Sequence, residues 1–460
     1  MDPSLEVSMP HLSPRTLTVL AASALLVAGA ATTLAPASYA AGETCRGLAA
    51  TIVGTPDTSV LEGSDGDDVI VAGGAGSVAA GDGDDVICAG DGTLELNGGD
   101  GQDILDVTAT TLPDGVLLYP GDGDDEVYGG VGDDLVVDGF DASVDHGDDL
   151  ISTAGGDDTV VSGNFPVEAG LRVDADVIDL GDGDDVLTRR GDPRTTSLTG
   201  GGGQDSLAFS AAATPDPAAV LSIDNVAQTA RVGEVPLATW DGFESFVVGD
   251  ADDDPEPVGG VAFRGTGADE RLSTLGQAGS LDVRLGGGDD VLDVRLGEYS
   301  GQVLGGPGTD LVQASGVRGF TDVAADLAAG RIEWTVSPVG GLDLAAVEDL
   351  RVTDADRVSL IGDAVANVFS TDRTCHTRLV GAGGPDLLRV GRPVTVDPDT
   401  TQGQRCGASP AVIQGGPGND RLTGRKTDDV LTGGPGRDVA NGLLGRDRCV
   451  AEVRYACELR

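Results

Sequence analysis

Four aspartates near the C-terminus, Asp420, Asp429, Asp438 and Asp447, each hold the sixth place of a nine-residue unit, the units opening at Gly415, Gly424, Gly433 and Gly442. Carboxylates repeated at a fixed spacing can share a cation between neighbouring turns. The pattern Gly-Gly-x-Gly-x-Asp-x-apolar-x recurs in phase as AGDGDDVIC (80–88), AGDGTLELN (89–97) and GGDGQDILD (98–106). It returns as PGDGDDEVY (120–128) and GVGDDLVV (130–137), and Leu94 takes the aspartate's place in the unit 89–97. Carboxylates beside turn carbonyls offer oxygen only, which suits Ca²⁺ with its six to eight flexible oxygen ligands better than octahedral, water-retaining Mg²⁺. Histidines are too few to favour zinc or copper.

The elements that must position these acids follow from the same pattern. A glycine-rich turn reaches backbone conformations closed to other residues, and the apolar residue two places after the aspartate starts a short strand with its side chain inward. Each unit is half of a coil. An aromatic content of 3% is too low for a conventional core of this length, whereas a narrow roll lined with Val, Leu and Ile needs few rings.

Here the sequence resembles the RTX, or haemolysin-type, calcium-binding repeat family, whose nonapeptides stack into a parallel β-roll. The resemblance implies an all-β, right-handed parallel β-roll or β-helix solenoid, with calcium held between adjacent turns by the sixth-position carboxylate and turn carbonyls. Carried over, the metal-ligating residues are Asp68, Asp85, Asp103, Asp125, Asp134, Asp149, Asp158, Asp176, Asp185, Asp290, Asp420, Asp429, Asp438 and Asp447. Asp205, Asp310 and Asp386 share the sixth position but lack an in-phase neighbour, and are set below the others. The closest resemblance is to secreted calcium-binding repeat proteins of high-GC Gram-positive bacteria, in keeping with the use of Arg over Lys.

A formal charge of −49 with Lys426 as the single lysine describes a polyanion that needs cations. The same charge excludes nucleic acid as a partner. Residues 1–40 read as a signal peptide: Arg15 precedes the apolar run 17–31, and Ser38-Tyr39-Ala40 offers a cleavage site. An extracellular product with no transmembrane segment is expected, its cell-surface or polymer partner unknown. Six cysteines in an exported chain suggest disulfides, and the local pairing is Cys45 with Cys88, Cys375 with Cys406 and Cys449 with Cys457. Buried free thiols are the alternative.

The expected organisation is a repeat block at 41–210, non-calcium β rungs at 211–264, a central repeat block at 265–314, a second non-calcium segment at 315–380 and a capped C-terminal block at 381–460. The segments 219–248 and 322–352 resemble each other, and each carries a tryptophan, Trp240 or Trp334, expected to plug a wider rung. They read as continued solenoid or as a small β-domain inserted twice. The run 250–257 reads as a solvated acidic loop.

No catalytic residues are assigned. His-Glu-x-x-His and Gly-x-Ser-x-Gly are both absent. His146 falls in a repeat turn and His376 in a loop, and Arg190-Gly191-Asp192 is a chance tripeptide. The reading is a calcium-binding structural or adhesive protein. A secreted calcium buffer, or a β-helix polysaccharide-active enzyme with Arg189, Arg190 and Arg194 as its basic cluster, are the alternatives.

Overall fold

The computed structural model describes residues 43–138, 147–163, 175–189, 196–209, 219–249, 259–275, 279–297, 299–316, 321–335, 339–392 and 409–458. The expected signal peptide (1–40), His146, Arg190, Arg194, Cys406 and the acidic run 250–257 lie outside them. All the regular structure among the described residues is β-strand, with no helix long and apolar enough to cross a membrane.

Repeat units give strands of only three residues, such as Val69–Val71 and Val86–Cys88, whose central side chain is buried between two outward neighbours. That is the two-residue period of a strand with one face inside. Successive half-coils alternate between two parallel sheets. In the first sheet Ile70, Ile87, Leu105, Val127, Ile151, Ile178 and Leu198 stack in register. In the second, Leu61, Val78, Leu96, Leu118, Val136, Val160, Leu187 and Leu207 do the same. Each such side chain contributes about 1.5–3 kcal/mol on leaving water. The two stacks face each other and are the core.

Neither sheet closes on itself. The first runs from Ile52–Val53 to Arg448–Val450 and the second from Val60–Glu62 to Val453–Tyr455, so the molecule is an all-β parallel solenoid. Open ends of a solenoid expose unpaired backbone. At one end a small antiparallel hairpin, Thr44–Cys45 with Leu48–Ala49, is tied down by the Cys45–Cys88 disulfide. At the other, Cys449 is bonded to Cys457.

The two look-alike segments enter the first sheet as antiparallel meanders. Val220–Asp224, Thr229–Val232 and Val235–Asp241 zigzag, with the last strand pairing in parallel on Thr196–Thr199 and the first on Gly260–Arg264. Asp322–Asp326, Arg331–Thr335 and Val339–Ala345 repeat this between Tyr299–Leu304 and Arg357–Ile361. The second sheet passes each meander with a single strand, so its partner is locally wider. Large rings fill the added width: Trp240 lies 6.1 Å from Phe209 and 5.5 Å from Phe246 between ring centroids. Trp334 is buried as well, and its Nε1 donates to the Gly297 carbonyl at 2.8 Å. Both tryptophans are plugs of wide rungs, which removes them from any exposed stacking surface.

Candidate metal centre

The turn before most repeat strands is tight because glycine permits it. Gly416 and Gly418 have φ of 114° and 159°, and a Cβ on Gly415 would lie 2.1 Å from Asp420 Oδ2 and 2.7 Å from the Gly433 carbonyl oxygen. The aspartate is thereby folded under its own turn, buried against the next one.

Its Oδ1 is held by backbone. At the entry to the first sheet the N–H of Asp68 donates to Asp85 (2.7 Å), Asp85 to Asp103 (2.8 Å), Asp103 to Asp125 (2.7 Å), Asp125 to Asp149 (2.8 Å) and Asp149 to Asp176 (3.2 Å). The line resumes near the C-terminus, from Ala411 to Asp429 and Asp429 to Asp447, both 2.8 Å, and from Asp447 to Glu458 at 3.0 Å. At the entry to the second sheet one run joins Asp134, Asp158, Asp185, Asp205 and Glu244, with bonds of 2.7 to 3.0 Å. A second joins Glu270, Asp290, Asp310 and Glu348, at 2.8 to 3.1 Å. A third joins Asn367, Asp386, Asp420, Asp438 and Glu452, again at 2.8 to 3.0 Å.

The other oxygen separates the carboxylates into two kinds. Oδ2 of Asp85, Asp103, Asp125, Asp149, Asp158, Asp185, Asp205, Asp290, Asp310, Asp386, Asp420, Asp438 and Asp447 is buried and finds no hydrogen-bond donor among the described residues. A buried charge in that state costs several kcal/mol unless something neutralises it. Asp68, Asp134, Asp176 and Asp429 are instead satisfied within the protein. Their second oxygens accept from Ser64, Gly130, Arg189 and the Arg425 N–H respectively.

Burial is the first cause of the displaced acidities. It pushes Asp103, Asp125 and Asp185 up to about 7 and Asp158 to about 8, with Asp85, Asp205, Asp310 and Asp386 at about 6. The N–H donor opposes that rise in each case, and neighbouring carboxylates add to it.

The residues present fit a hard cation. At Gly98, Gly381, Gly415 and Gly442 a buried carboxylate oxygen and a carbonyl oxygen of the next turn converge on one point, where a Cβ would meet both within 2.0 to 2.7 Å. A donor set of oxygens, negatively charged and short of donors, is what Ca²⁺ binds. Beside the buried line runs an exposed one in the opposite sense, built on the fifth position. Asp84 N–H donates to Asp67 Oδ1 (3.1 Å), Asp148 to Asp124 (3.0 Å), Asp184 to Asp157 (3.0 Å) and Asp289 to Asp269 (2.7 Å).

The structure thus brings the sequence-assigned aspartates into common lines, and places Asp205, Asp310 and Asp386 among them. Their neighbours are one coil away in space but about 20 to 40 residues away in sequence. Glu244, Glu270, Glu348, Asn367, Glu452 and Glu458 take ladder positions that a nine-residue phase cannot find. The sequence signal was limited to the acid closing each look-alike segment, and for the exposed line to the paired Asp-Asp of the repeats.

One turn carries its own cation. In the unit 424–432 arginine replaces the second glycine, and Arg425, 2% exposed, donates to the carbonyls of Thr374 (2.7 Å), Cys375 (2.6 Å) and Ser409 (2.6 Å). Burial lowers its pKa and Asp429 opposes that. Asp429 itself accepts from Ala411, Thr427 and Arg425, so both oxygens are used.

Two sequence expectations need correction. Arg189 does not belong to a surface groove: it is buried, with Nη1 2.8 Å from Asp176 Oδ2, because the strand alternation turns it inward. His376 opens the strand His376–Val380 rather than lying in a loop, and its Nε2 is 3.0 Å from Ser409 Oγ. The expected Cys45–Cys88 and Cys449–Cys457 bonds are both present, whereas the third pairing falls on Cys406, outside the described residues.

No curated protein matches the chain. The sequence profile of the RTX calcium-binding nonapeptide repeat (4 copies) matches residues 49–78, 118–137 and 413–449, which include the turns of Asp68, Asp134 and the C-terminal aspartates. The chain is therefore a parallel β-solenoid that carries RTX calcium-binding nonapeptide repeats.

Proposed function

We propose that this is an exported calcium-binding scaffold, a structural or adhesive protein of the cell exterior, whose repeat blocks fold when the metal arrives. The observation that carries the reading is the series of buried carboxylate oxygens without donors. Bound calcium supplies the positive charge that those oxygens lack. Without a cation the stacked turns repel one another, and their glycines favour the unfolded chain. Metal-binding free energy then becomes folding free energy. Extracellular calcium modules commonly work at about 10⁻⁴ to 10⁻³ M, a range that leaves such a chain unfolded before export and folded after it.

Export is further supported by the two disulfides, which persist in oxidising compartments. The test is far-UV circular dichroism of the full chain, prepared in chelator and titrated with CaCl₂, with MgCl₂ as control. A cooperative gain of β signal with calcium alone is expected. A spectrum equally β-rich in chelator would reduce calcium to a surface ligand.

A further inference from the structure

Where the second sheet passes from Leu135–Val137 to Thr159–Ser162 and Val186–Arg189, its second inward position is polar. Ser162 pairs with Arg189 there, and Asp138 stands one residue past the paired Val137 and Val161. One coil further on the same position is Phe209, then Val248. The solenoid core is therefore polar at this level, and the first-sheet residues that meet it are Asp149 and Asp176. A carboxylate oxygen from each of Asp138, Asp149 and Asp176 lies within 4.8 Å of the other two, and all three residues are buried.

Three carboxylates stand beside one guanidinium. Arg189 Nη1 bonds to Asp176 Oδ2 at 2.8 Å and to Ser162 Oγ at 2.7 Å, and the Ser162 hydroxyl donates to the same Asp176 oxygen. Two further groups call for a ligand. Asp149 Oδ2 is buried with no donor among the described residues, and the hydroxyl of Thr196, fully buried in the coil after Asp176, has no hydrogen-bond partner among them.

We propose that Asp138, Asp149 and Asp176, with the Ser162 hydroxyl beside them, form an interior site for one hard divalent cation, of the Ca²⁺ class. Its distinguishing ligand is Asp138, which follows the strand Leu135–Val137 at a buried position and has no part in the turn lines. Oxygen-only donors with a hydroxyl among them favour calcium over transition metals.

Crystals of the full chain grown in CaCl₂, with anomalous scattering recorded at long wavelength, test this directly. A peak about 2.3–2.6 Å from oxygens of all three aspartates is expected. Peaks confined to the turns would overturn the inference and leave the turn reading standing. A peak at the triad with none in the turns would support it and count against that reading. In solution, Asp138→Asn keeps the shape and should lower the calcium bound at saturation by one ion per chain in equilibrium dialysis; an unchanged stoichiometry overturns the site. Should that variant fail to fold, Ser162→Ala removes a ligand atom without changing charge, and should lower the affinity of one ion while sparing the rest.

Discussion

The N–H of Asp420 donates to Oδ1 of Asp438 across 3.0 Å, while Oδ2 of Asp438 is buried with no donor. In the folded turn, backbone thus fixes where each carboxylate sits and leaves half of it unused. Asp438→Asn keeps the shape and removes the charge. It should ease folding in chelator, since a buried charge disappears, and remove about 2–3 kcal/mol of the calcium-dependent stabilisation. Thermal melts with and without calcium measure both effects.

Asp429→Asn is the contrasting case. Both of its oxygens accept hydrogen bonds from protein donors. The substitution should destabilise the folded chain by about 1–3 kcal/mol and leave the calcium increment nearly intact. Equal loss of the increment in the two variants would show that the internal bonds of Asp429 give way to metal.

Arg425→Ala should cost about 3–5 kcal/mol whether or not calcium is present, because buried carbonyls of Thr374, Cys375 and Ser409 lose their donor. Arg425→Lys should rescue little, as one ammonium cannot reproduce a planar fork. Amide exchange at Val412–Gln414 and Val430–Thr432 reads the effect locally.

Acidity gives a signed prediction for the metal-free chain. Carboxyls raised from 3.8 to about 6 at Asp85, 7 at Asp103 and 8 at Asp158 bind protons more tightly when folded. Their contribution to stability is fully present below about pH 4 and is lost as pH rises through 6 to 8. In chelator, β structure should be more stable at pH 5 than at pH 8. Saturating calcium should flatten the profile, as the metal takes the protons' place.

Opening the Cys449–Cys457 bond should fray the last coils. Exchange should rise at Val439–Asn441 and Arg448–Val450, with about 2–3 kcal/mol lost from that end. The first-sheet stack around Ile151 lies many coils away and should keep its protection.

Much of this was legible in the sequence because a nine-residue unit maps onto one turn and one short strand. Spacing alone sets Asp420 and Asp438 at the same place in successive coils, while their role as ligands is what the resemblance implies. Asp310 could not, since its partner Glu348 lies 38 residues on, beyond a meander. The antiparallel strand Arg331–Thr335 was hidden for a related reason: alternation of Ile332 and Trp334 marks a strand but says nothing of its direction. Arg425 gives no signal in the sequence beyond standing at a glycine position of its unit, and only its three carbonyl partners reveal its role.

The glutamates give the second-sheet line its punctuation. Glu244 and Glu348 each receive the last aspartate's N–H through a longer side chain, and their own N–H groups turn back to the carbonyls of Asp205 and Asp310, both at 3.2 Å. Each follows directly on a meander. They mark where one buried carboxylate line ends and, one coil further on, the next begins, at Glu270 or Asn367. A solenoid built in such separate runs can fray at one end, or be cut there, and still keep its buried line beyond the next glutamate.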